Sequence, residues 1–183
     1  ALAVQKKRGQ FVSGFAPYGY VKDPMDKHRF LVDQEAAEIV KRIFTLYLAG
    51  YSRDGIAKML NREGVMTPSE YKRKVQGLNY SNAWEKTGGK GWAYPTVNHI
   101  LKNRVYTGAM VQHKTEKISY KVEKYRYIPE EQQDIVEGMH EAIIGKDVFE
   151  RTQKMMKKRI ISVLVILIMM LQTILLASIK WSK

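Results

Sequence analysis

The chain has 183 residues, with 31 Lys/Arg against 18 Asp/Glu, a net charge of +13 and no cysteine. That length holds one medium domain with appendages, and the lack of thiols excludes disulfides, cysteine-ligated zinc and thiol catalysis. A positive surplus of this size points to an acidic partner, either nucleic acid or anionic lipid.

Residues 1–31 carry six Lys/Arg against two Asp. Lys6, Lys7 and Arg8 give residues 1–13 the character of a basic arm. No apolar run follows them, so they are not a secretory signal. In "GFAPYGY", residues 14–20, Pro17 fixes φ and two glycines permit sharp bends, which rules out helix interior. "HRFLV", residues 28–32, predicts a short strand.

Asp33 is a good N-cap, and Ala36, Ile39, Val40, Ile43, Phe44 and Tyr47 recur at helical spacing up to Gly50. Ser52 caps a second helix with Ile56, Ala57, Met59 and Leu60 inward; Gly64 ends it and Thr67-Pro68 blocks continuation. Joined at "AGYS", the two predict a helix–turn–helix-like corner. Residues 32–68 hold five Lys/Arg against five Asp/Glu, which predicts a scaffold role for the pair.

From Thr67 to Pro95 the apolar periodicity disappears, and Gly77, Gly88, Gly89 and Gly91 predict loops. "TGGKG" does not have phosphate-loop spacing, and no strand precedes it. Pro95 starts a third, short helix with Val97, Ile100 and Leu101 on its apolar side. Thr96, Asn98, His99, Lys102 and Asn103 lie on the other side. "VYTGAMVQ" and "KISYKVEKYRYI" alternate like two paired strands around a turn at His113–Glu116, and "QQDIVEG" suggests one more. "GKDVFERTQKMMKKR" predicts a helix with Val148, Phe149, Thr152, Met155 and Met156 on one side.

The expected fold class is therefore α+β. Residues 14–159 form a mixed small domain with a helix–turn–helix-like helical pair, a third short helix and a small antiparallel sheet. Residues 160–183 form an apolar tail, read as a long helix, whose length is close to the ~20 residues that span a bilayer.

Chemistry narrows to one region. The four histidines form no HxxxH pair, so no metal site is expected. Glu130, Glu131 and Asp134 read as solvated, and neither a nucleophile–base pair nor a cofactor fingerprint is present. Residues 69–128, in contrast, carry twelve Lys/Arg against four Asp/Glu. Lys72, Arg73 and Lys74, then Lys102 and Arg104, then Lys114, Lys117 and Lys121 interleave with tyrosines and tryptophans. Lysine and arginine neutralise phosphates, and asparagine is the residue type that reads adenine edges, which singles out Asn98 and Asn103. Trp92, Tyr94 and Tyr106 fit core packing as well as they fit contact.

Four blocks carry a family resemblance: "GQFVSGFAPYGYVKD", "LVDQEAAEIVKRIFTLYLAGYSRDGIAKMLNREGVMTP", "WAYPTVNHILKNRVYTGAMVQ" and "VEGMHEAIIGKDVFERTQKMM". In order and spacing the chain resembles the large serine recombinases, the phage integrases and transposon recombinases of mobile elements, over roughly residues 5–158. It looks like their first DNA-binding module, the recombinase domain, with the arm resembling the end of the helix that leaves the catalytic domain. The resemblance implies DNA integration by site-specific recombination, with binding to attachment-site or transposon-end duplex DNA, self-association through recombinase subunits and a place at the bacterial nucleoid. It also implies that the serine chemistry lies in a catalytic domain outside this chain, so no residue here is expected to be catalytic and the fragment should bind DNA without cutting it. No cofactor is expected, because zinc belongs to a further C-terminal module. The apolar tail stands where that module is expected and reads as a shifted or degenerate reading frame rather than an evolved anchor. Two rival readings are a trans-acting regulator competing at recombination sites, and a basic protein anchored to membrane through residues 160–179 and binding anionic lipid.

Overall fold

The computed structural model describes residues 2–119 and 122–159. The apolar run 160–179, and with it the expected long C-terminal helix, lies outside the described residues, as does Lys121. Among the described residues no helix is long and apolar enough to cross a membrane.

A short helix, α1 (Leu2–Lys7), opens the chain and leads into an extended segment. That segment is tied down where Phe11 N–H donates to His28 C=O and Gln112 Nε2 donates to Gln10 C=O. Strands β1 (Tyr20–Lys22) and β2 (Phe30–Val32) pair antiparallel, Tyr20 opposite Val32. Helix α2 (Gln34–Leu48) starts at Asp33, whose carboxylate accepts from Ala36 N–H at 3.4 Å. It ends at Gly50, which takes φ +102°, a conformation that costs a glycine little. Helix α3 (Arg53–Arg62) starts at Ser52, whose hydroxyl accepts from Gly55 N–H at 3.0 Å. Ala36, Ala37, Val40, Ile43, Phe44 and Tyr47 of α2 and Ile56, Ala57 and Leu60 of α3 are buried, as the helical spacing predicts.

The stretch expected to be loop holds two helices. Thr67 and Glu70 form a reciprocal capping box for α4 (Pro68–Lys74), with Pro68 in its first turn. The Thr67-Pro68 step thus begins a helix as well as barring the previous one. A single turn, α5 (Ala83–Lys86), follows, with Asn82 Oδ1 accepting from Glu85 N–H. Helix α6 (Tyr94–Lys102) packs across α3 and α2, and a 3-10 turn, Arg104–Thr107, follows it.

The strands pair differently from the expected arrangement. Strand β3 (Met110–Gln112) pairs not with its successor but with β6 (Asp134–Val136), Met110 opposite Val136. Strand β4 (Thr115–Ser119), which begins in the expected turn and runs into the stretch read as one strand, and strand β5 (Val122–Tyr127), inside that stretch, form a hairpin of their own. Among the described residues the expected single sheet is three two-stranded ribbons.

Residues 146–159 form the last described helix, α7. Phe149, Thr152 and Met156 are buried on one side, with Val148 and Met155 packed beside them. Gln153 Nε2 donates to Leu101 C=O, near the end of α6, at 2.8 Å. Arg159 donates to Gly50 C=O at 2.8 Å, beyond the end of α2, and its guanidinium lies 4.9 Å from the Tyr47 ring. Tyr20 is the pivot of the core: it stacks on Phe30 and Tyr106 and donates its hydroxyl to Glu141 C=O at 2.9 Å.

Candidate nucleic-acid interface

The tertiary structure sorts the predicted basic residues into three groups. The first group converges. Lys72 of α4, His99 of α6 and Lys114, just beyond β3, line one cleft of about 710 Å³ whose far wall is the segment 11–17. Lys72 is only 6% exposed. Its ammonium sits 4.3 Å from the Tyr80 ring centroid and 5.8 Å from that of Phe15. Among the described residues no Asp or Glu lines the cleft. Burial pushes the Lys72 ammonium down to about 8 and lowers the Lys114 pKa as well. His99 has accessible area at the mouth, but crowding by the walls desolvates it. That desolvation, with the positive charges of Lys114 and Lys72, lowers its pKa.

The second group is exposed: Lys7, Arg8, Lys74, Lys102 and Lys117. Lys102 and Lys114 border a second groove of about 400 Å³ together with Lys146, Lys154 and Lys157 of α7, which also carries Glu130 and Glu150. Lys114 and Val111 line both recesses, so the two share a wall. Lys6 lies in α1.

The third group is already engaged. Arg73 holds Glu85 through two bonds, at 2.8 and 3.1 Å, and donates to Tyr80 C=O. Arg104 bridges Glu130 at 3.0 Å and Glu137 at 2.7 Å. The charge of each is offset within the chain, which makes them weaker phosphate ligands than their place in the sequence suggests. Asn103 is buried, accepting from Val105 N–H and from Lys114 Nζ at 3.2 Å. It caps the 3-10 turn and orients Lys114 rather than standing on the open face of α6. Thr96 is half-buried beside Val97. Asn98 remains at the surface of α6, but its Oδ1 accepts from Arg53 Nη1.

The aromatics divide likewise. Trp92 and Tyr106 are core, whereas Tyr94, Tyr125 and Tyr127 are exposed. Arg53, Lys154 and Lys157 join the basic surface without having been candidates. The signal for the last two is their three-residue spacing, which places both on one helix face. A near-neutral count over residues 129–159 masks it.

Among the described residues no group of His, Asp or Glu is placed to hold a metal ion.

Two solved structures resemble this arrangement. A chain from the crystal structure of a LSR–DNA complex aligns with a TM-score of 0.49 at 19% identity, over 85% of this chain and 36% of that one. A chain from work on the sequence requirements of the Listeria innocua prophage attP site aligns with a TM-score of 0.50 at 19% identity, over 85% of this chain and 49% of that one. The chain thus spans about a third to a half of the solved proteins it resembles, and the second likeness is one of fold. The Recombinase family pattern matches residues 34–159, from the first residue of α2 to the last described residue of α7. By that match over most of its length, and in keeping with the four sequence blocks, the chain belongs to the Recombinase family.

Proposed function

We propose that this chain binds duplex DNA and serves as a DNA-gripping module in site-specific recombination, at attachment sites or transposon ends. The observation that carries the reading is the basic cleft, which no carboxylate lines among the described residues, beside the groove bordered by Lys102, Lys154 and Lys157 between α6 and α7. Cations with no acid partner at home are the ones that release counterions when they meet a phosphate backbone. Family membership favours the same reading, and the neighbour of like fold comes from work on a prophage attP site.

The test is fluorescence anisotropy of a labelled duplex with the 183-residue chain, between 50 and 200 mM salt. If about six phosphates are neutralised, log K falls against log salt with a slope near −5. A flat response overturns the reading. So does binding to anionic vesicles that matches binding to the duplex.

A further inference from the structure

We propose that the cleft between Lys72, His99 and Lys114 is the seat of a single phosphodiester group of the duplex, an assignment that rests on the DNA-binding reading above. Three observations converge on it. Lys72 is almost wholly buried, yet among the described residues no carboxylate pairs with it. A buried ammonium without a counter-ion is a cost to the fold, and the rings of Tyr80 and Phe15 offset only part of it. A lysine kept for packing alone is replaceable by methionine without that cost. Second, Lys114 and His99 bring further positive potential into the same space: burial disfavours charge on both lysines, and burial together with the two lysines disfavours it on His99. One anion resolves all three conflicts at once. Third, Asn103 fixes Lys114 from inside the core, so that the ammonium is held in place before any ligand arrives.

The neighbouring groove shares Lys114 and Val111 with the cleft. A backbone seated at Lys72 therefore leads toward Lys102 and the lysines of α7. The assignment separates Lys72 from the exposed cations, which meet phosphate through water and loosely.

A phosphate in the seat favours the charged ammonium, so Lys72 takes up protons on binding. The titratable groups facing it across the cleft are His99 of α6, Lys114 and Tyr80; His113 lines the far end with Asp134 of β6 beyond it at 4.0 Å. With Lys72 near 8 in the free chain, affinity is full below that pH and falls as pH rises through it.

The experiment uses the 183-residue chain and a labelled duplex at fixed salt, at pH 7 and pH 9. Lys72→Met and Lys114→Met are each compared with Lys74→Met, which removes an exposed charge next door. Expected at pH 7 is a loss of about tenfold for each cleft variant, a salt slope smaller by about one, and a lesser effect for Lys74→Met. Wild-type affinity drops about tenfold from pH 7 to pH 9, and Lys72→Arg, whose charge does not titrate there, abolishes the drop. If both cleft variants bind like Lys74→Met, the seat is wrong while the DNA reading stands. If the wild-type chain shows no salt-dependent binding, both fall. Phosphatidylglycerol vesicles that displace the duplex from wild type but not from Lys72→Met assign the seat to a lipid headgroup and overturn the duplex assignment.

Discussion

Arg53 Nη1 donates to Asn98 Oδ1 across 2.6 Å, while the guanidinium lies 4.6 Å from the ring of Tyr94. The bond joins the first turn of α3 to the outer face of α6 and occupies the oxygen that an asparagine needs for a two-bond contact with adenine. Asn98 and Arg53 thus present themselves as one unit. Arg53→Ala and Asn98→Ala should be non-additive in duplex affinity, with a coupling of ~0.5–3 kcal/mol in a double-mutant cycle. Strict additivity would show that the two act apart on DNA.

Lys72 should weaken the free fold that carries it. Its pKa of about 8 lies below the ordinary 10.5, so between those values the unfolded chain holds a proton that the folded chain has shed. Stability from this group therefore rises with pH across that window and is lowest below 8. Lys72→Met should raise stability at pH 7, by ~3 kcal/mol at most, and flatten the rise. Urea midpoints at pH 7 and 9.5 for both chains check this, and a less stable variant at pH 7 contradicts it.

His140 should make the fold sensitive to acid. A carbonyl only accepts, so the 2.8 Å contact between Nε2 and Val105 C=O places the proton on Nε2. Nδ1 is then buried without a partner, in a ring packed edge-on against Tyr20 and Phe30. Burial lowers the His140 pKa, and the Val105 bond opposes that only in part. With the folded pKa below the ordinary 6.5, the contribution is complete above about pH 6.5 and is lost as pH falls below it. His140→Phe should give up ~1 kcal/mol at pH 7 for the missing bond and lose part of the decline between pH 7 and pH 5, read from urea midpoints.

Helices α2, α3, α6 and α7 are legible in the sequence because each has its own markers: Asp33 and Gly50, Ser52 and Gly64, Pro95, and the periodic Phe149, Thr152 and Met156. Helix α4 is not, because Pro68 reads as a barrier to the helix before it and only the Thr67–Glu70 exchange reveals it as a start. The partnership of β3 with β6 is set by distant segments and leaves no local trace. The basic character of residues 69–128 is plain from composition, but which cations are available is decided by tertiary partners. Arg104 finds its carboxylates 26 and 33 residues away, and Lys72 sinks beneath Tyr80 because α4, unseen in the sequence, turns that face inward.

Three separate ribbons leave every strand with an outer edge that no described strand covers, and such edges invite pairing with other chains. Two of the ribbons are three residues deep, too short to template a neighbour. The longer one, β4–β5, breaks its register between Lys117 and Ser119 and carries Lys117 and Lys124 along it, while Arg126 is bonded to Glu116 across the two strands. Charge and a local irregularity are the usual means by which an exposed ribbon is kept from stacking. The positive charge of this hairpin therefore also works against pairing of its edges with those of other copies.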